Sequence, residues 1–184
     1  MQTLFRTMTL VTALSLLTSS VALPAPAAQE GNTVMATPFD RKISTSHVFD
    51  VQGGVPSSAK DPLALFMEAR SFRYTPDRRS DHWQTPEETE ARRAGDCEDK
   101  AVWLYAQLKA AGYTDTRLVI GKYKSISRQY HVWVTFTDDQ GQTLILDPTT
   151  QRRPWKLGDF SGGFYVPYYS YDGRKRYHHR SLGR

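Results

Sequence analysis

The chain has 184 residues, of which 39% are hydrophobic and 23% charged, with a formal charge of +5. That is room for one domain with a substantial core and not for two. One cysteine, Cys97, excludes an internal disulfide framework, and the positive excess is too small to mark a nucleic-acid partner.

The first residues read as a secretory signal. Arg6 supplies a positive charge, residues 10–21 an apolar stretch, and Ala25-Pro26-Ala27 the small residues of a cleavage site. Thr12, Ser15, Thr18, Ser19 and Ser20 interrupt the apolar run, which is too short and polar to span a bilayer. A signal peptide over 1–27 is expected, with Ala22 as the second candidate boundary and an exported product, periplasmic or secreted. In that oxidising setting a lone thiol is either buried or useful.

Residues 28–57 are polar and aperiodic, an extended lead-in with one edge strand at 46–49. The main domain is expected over 58–171. Its first helix starts at Asp61, which can cap, with Pro62 at the first position and Leu63, Phe66, Met67 and Arg70 at helical spacing. Thr85-Pro86-Glu87-Glu88 is a capping box that opens a second helix, ended by Gly95. Asp96 caps a third that runs to about Ala111, with Gly112 beyond it. Cys97, Ala101, Leu104 and Leu108 share one face, so the thiol sits at a helix N-terminus on the core side.

Strands follow over 116–123, 131–136 and 143–147, the last two joined by the turn Asp138-Asp139-Gln140-Gly141. Val132, Val134 and Phe136 alternate with His131, Trp133 and Thr135. Packing that apolar face with Leu144 and Leu146 requires opposing residue numbers to sum to an even total. Under that parity His131 and Asp147 share a face, directly opposite or one diagonal step apart. The aromatics Phe160, Phe164, Tyr165, Tyr168, Tyr169 and Tyr171 read as sheet packing more readily than as a ligand platform. Residues 172–184 carry Arg174, Lys175, Arg176, Arg180 and Arg184 against Asp172 alone. They read as a solvated basic tail, or as a weak contact for anionic surfaces.

Helices followed by hairpin strands define an α+β domain. Cys97, His131 and Asp147 are the residue types of a nucleophile, a base and an orienting carboxylate, as thiol acyl transfer requires. Oxyanion donors are sought in the Cys97 backbone N–H and the side chains of Trp83 and Gln84. A helix N-terminus favours thiolate, whereas Asp96, Glu98 and Asp99 around the sulfur oppose it. Those carboxylates serve either as helix caps or as hard-oxygen ligands for calcium. His47, His82, His178 and His179 show no zinc-ligand spacing.

The segments Asp81-His82-Trp83-Gln84-Thr85-Pro86-Glu87-Glu88, Gly95-Asp96-Cys97-Glu98-Asp99-Lys100-Ala101, His131-Val132-Trp133-Val134 and Leu146-Asp147-Pro148 resemble the bacterial transglutaminase-like cysteine proteinases, including the periplasmic LapG-type proteases that cleave surface adhesins. The resemblance covers about residues 62–150. It implies a papain-like or transglutaminase-core fold, a Cys97-His131-Asp147 triad, a protein or peptide substrate, and a regulatory calcium at Asp96 and Glu98. Lys100, and the aromatic and basic C-terminus, depart from that pattern. Three functions compete: a periplasmic cysteine peptidase, a cross-linking transglutaminase or cell-wall peptide amidase, and an inactive binding module of the same shape.

Overall fold

The computed structural model describes residues 31–51, 61–78, 80–159 and 163–180. The expected signal peptide therefore lies outside the described residues, as do Phe160 and Arg184. In chain order come β1 (Asn32–Thr33), α1 (Asp40–Thr45), α2 (Pro62–Ser71), β2 (Arg73–Tyr74), α3 (Pro86–Arg92), β3 (Ala94–Gly95), α4 (Cys97–Ala110), β4 (Thr116–Lys124), β5 (His131–Thr137), β6 (Thr143–Leu146), β7 (Trp155–Lys156), β8 (Phe164–Asp172) and β9 (Lys175–His178).

The helix starts follow their local chemistry. Asp61 accepts from the Leu63 N–H at 3.0 Å to open α2. Thr85 and Glu88 close a reciprocal capping box on α3, through Glu88 N to Thr85 Oγ1 at 3.2 Å and Thr85 N to Glu88 Oε2 at 3.0 Å. The α3 helix stops at Arg92 because Arg93 turns left-handed, at φ 47°. Ala94 and Gly95, expected as the helix end, instead pair with β2 as a short parallel ladder.

An antiparallel sheet of seven strands, in the order β1-β9-β8-β4-β5-β6-β7, forms the second layer. The expected parity holds: Val134 pairs with Leu146 and Phe136 with Leu144. One sheet face buries Leu118, Ile120, Val132, Val134 and Leu146 against Leu104 and Leu108 of α4 and Leu65 and Phe66 of α2. Each such fully buried side chain contributes roughly 1.5–3 kcal/mol of hydrophobic stabilisation. The opposite face carries a smaller cluster of Val119, Trp133, Ile145 and Tyr165.

Gly121 sits where these layers cross. A Cβ there would meet the Val166 carbonyl oxygen at 2.1 Å and the Trp133 ring at 2.7 Å. Only glycine admits β8 this close to β4, at the position paired directly with His131.

Two segments depart from expectation. The lead-in is not extended throughout: it holds α1, and 48–50 form a 3₁₀ turn where an edge strand was expected. His47, at φ 61°, reverses the chain between them, which a strand does not permit. The basic C-terminal segment is not simply a solvated tail, because 175–178 are β9. Arg176 bonds Asp40 at 3.0 Å and lies 4.5 Å over the Phe49 ring, while Arg117 lies 4.5 Å over Tyr177. Its cations are used in packing the N-terminal segment onto the sheet.

Candidate active site

The start of α4 is built on a buried carboxylate. Asp99, 1% exposed, accepts from the Gln84 backbone N–H at 2.8 Å and from the Asp96 N–H at 3.2 Å. Gly95 makes this possible, since a Cβ there would fall 2.5 Å from Asp99 Cβ. Burial raises the Asp99 pKa to about 6, against the lowering effect of the Gln84 N–H. Asp99 is thus a strut between the α3 loop and the helix that carries the thiol. Lys100, the departure noted in the sequence, is buried and donates to the Phe72 carbonyl at 3.1 Å and the Arg70 carbonyl at 3.4 Å. It secures the end of α2 to α4.

Cys97 is the first residue of α4. Its sulfur donates to Glu98 Oε2 at 3.0 Å, and the Val132 backbone amide lies against it. Burial pushes the thiol pKa up strongly, Glu98 adds to this, and the Val132 amide opposes it. The helix N-terminus therefore does not prevail here: burial and neighbouring carboxylate favour the thiol form.

His131 and Asp147 meet as the strand parity requires. His131 Nε2 lies 2.6 Å from Asp147 Oδ2, one diagonal step across the β5–β6 pair. Asp147 is fully buried. It also accepts from Tyr165 Oη at 2.9 Å, from the Thr149 N–H at 2.9 Å, from the Thr150 N–H at 3.1 Å, and from the Thr150 hydroxyl. Burial alone would raise its pKa, but the bond to and charge of His131, with the Thr150 and Thr149 donors, outweigh it and hold the carboxyl below its usual range. The imidazole is steadied by Trp133, stacked with centroids 6.2 Å apart, and by the edge of Tyr123 at 6.0 Å.

His131 and Asp147 are thus in direct contact. Cys97 reaches their neighbourhood through Val132, the residue after His131, while its hydrogen bond goes to Glu98. Of the oxyanion candidates, Trp83 Nε1 is engaged with Asp81 at 3.0 Å and Gln84 Nε2 with Asp99. The Cys97 N–H, at the first turn of α4, has no i−4 helical acceptor. His82 and His179 stand apart: His82 lies 3.6 Å from Glu88, and His179 is buried against Ser170 at 2.8 Å.

A cleft of about 510 Å³ opens beside the sulfur, lined by Asp77, Asp81, Asp96, Glu98, Arg128 and Tyr130 among others. The ligand oxygens of Asp77, Asp81 and Glu98 lie within 4.8 Å of one another. Asp96 Oδ1 is buried with no hydrogen-bond partner, and burial together with Asp96 raises the Glu98 pKa. This donor set of hard oxygens, with one orphaned acceptor and crowded charge, fits a divalent cation such as calcium. The sequence pointed to Asp96 and Glu98. It missed Asp77 and Asp81, which come from the loop before α3 at no diagnostic spacing.

The family model described as the transglutaminase-like superfamily matches residues 48–148, and the chain belongs to this superfamily. Its fold is similar to that of Legionella pneumophila LapG. The EGTA-treated form is 22% identical, with TM-score 0.56, covering 74% of this chain and 75% of that one. The calcium-bound form is 21% identical, with TM-score 0.56, covering 82% and 84%. No curated protein matches the chain. Among the described residues, no helix is long and apolar enough to cross a membrane.

Proposed function

We propose that this chain is an exported cysteine peptidase, acting on protein substrates in the periplasm or outside the cell through Cys97, His131 and Asp147. The observation that carries this reading is the 2.6 Å His131–Asp147 bond, formed next to the Val132 amide that touches the Cys97 sulfur.

Asp147, held ionised by five donors, accepts a hydrogen bond from the Nε2–H and leaves Nδ1 of His131 as the basic nitrogen. The thiol gives its proton to Nδ1 and attacks the scissile carbonyl, forming the carbon–sulfur bond. The developing oxyanion is met by the Cys97 N–H. His131 returns the proton to the leaving amine, and water then releases the acyl group by the same exchange in reverse. Before attack, the sulfur has to surrender its bond to Glu98.

Asp77, Asp81, Asp96 and Glu98 would hold calcium, whose positive charge would offset the carboxylates that keep the thiol protonated. Titration calorimetry tests this. Calcium binding is expected for the wild type, lost in an Asp96→Ala/Glu98→Ala variant, and weakened at least tenfold by Asp81→Asn.

Peptide release from a denatured protein substrate, measured beside incorporation of a fluorescent amine, tests the reaction. The peptidase reading expects release, abolished by Cys97→Ala. Amine incorporation without release would support the cross-linking alternative. If iodoacetamide modifies Cys97 no faster than free cysteine, with or without calcium, the chain is a binding module and not an enzyme.

A further inference from the structure

Two hollows are lined by neighbours of the His131–Asp147 pair, Tyr130 and Val132 in one, Thr150 and Tyr165 in the other. The cleft beside Cys97 is rich in carboxylates. On the sheet face away from the helices lies a second cavity of about 790 Å³, lined by Tyr123, Trp155, Phe164, Arg152, Arg153 and Asp159. Two of its walls, Thr150 and Tyr165, are residues whose hydroxyls bond Asp147.

The chemistry of this cavity is aromatic and cationic. Trp155 and Phe164 keep 37% and 40% of their surface exposed. The Arg153 guanidinium lies 5.8 Å over the Trp155 ring, and Lys124 Nζ lies 5.7 Å from the Phe164 centroid. Arg152 and Arg153 are exposed, and Asp159 is the single carboxylate among the lining residues.

We propose that this cavity is a substrate subsite for an acidic, aromatic-bearing peptide segment, lying beyond the scissile bond of the protein that the enzyme cleaves. The assignment rests on the peptidase reading. Its volume falls in the range that holds several side chains. Planar guanidinium groups suit carboxylates, and the aromatic walls suit tyrosine or phenylalanine. Because Thr150 and Tyr165 face both the cavity and Asp147, an occupant also touches the groups that orient His131. The acidic part of the substrate runs toward Arg152 and Arg153.

The test uses the full mature chain carrying Cys97→Ser, so that binding is read without turnover. The probe is a short fluorescein-labelled peptide alternating glutamate and tyrosine, compared with its glutamine counterpart by fluorescence anisotropy. The acidic peptide is expected to bind at least tenfold more tightly than the glutamine peptide. Arg152→Ala/Arg153→Ala, at two exposed positions, is expected to reduce that affinity at least tenfold with an unchanged melting temperature, and added salt to weaken it. Equal binding of the two peptides, or no loss in the double variant, overturns the subsite. Displacement by a soluble cell-wall glycan but not by unlabelled acidic peptide also overturns it, in favour of a carbohydrate site. Failure of the wild type to cleave any protein, with peptide binding intact, instead removes the peptidase reading and leaves a peptide-binding cavity.

Discussion

At the scale of single residues, the candidate site divides into a joined pair, His131 and Asp147, and a thiol, Cys97, that bonds Glu98. Asp147→Asn keeps one oxygen acceptor but loses the charge that fixes the His131 proton, so we expect a fall in kcat of about 10³–10⁴, with the fold intact by circular dichroism. Burial and Asp96 raise the Glu98 carboxyl to about 8, so above that pH Glu98→Gln removes the charge nearest the sulfur. Alkylation of Cys97 at about pH 9 in the absence of calcium should then accelerate by roughly tenfold, since one pKa unit is about 1.4 kcal/mol of differential stabilisation. An unchanged rate would show that burial alone suppresses the thiolate. The pairing of His131 with Asp147 was legible because strand parity is a simple constraint on which side chains share a face. The protonation of Cys97 was not, because a helix N-terminus and three carboxylates pull in opposite directions and only burial decides between them. Asp77 and Asp81 were invisible for a different reason: a loop carries no period, and nothing local brings its carboxylates to Glu98.

At the scale of elements, caps and close approaches set the positions of the site residues. Thr85→Ala removes one side of the α3 capping box and should cost about 1 kcal/mol in urea unfolding. Gly121→Ala should cost more, at least about 2 kcal/mol, because the new Cβ meets a backbone carbonyl that cannot move without opening the β4–β8 ladder. It should also depress activity beyond its effect on stability, since Trp133 supports the His131 ring. The helices α2, α3 and α4 were readable from capping residues and apolar spacing, and β4 to β6 from alternation. The short α1 was not, having a phenylalanine at its N-cap and no side-chain cap. Nor was β9, where Arg176 looks like solvated charge until its partners, Asp40 and Phe49, are brought in from more than a hundred residues away.

At the scale of the molecule, the C-terminal segment makes stability depend on pH. Burial, then the nearby charges of Arg117 and His178, lower the His179 pKa to about 4, below its usual value near 6.5. The unfolded chain takes up this proton first on acidification. The contribution of neutral His179 is therefore complete above about pH 6.5 and is lost as pH falls toward 4. Discounting for solvent screening, the loss is on the order of 2 kcal/mol. Thermal melts between pH 7 and 4 should show it, and His179→Gln should flatten that profile. The outermost strands, β1 and β7, have two residues each. Lips this short offer a neighbouring molecule almost no backbone to zip onto, which guards the broad sheet against self-polymerisation. Trimming the chain back through Thr33 would bare β9, and such a shortened protein should sediment as a larger species than the intact one.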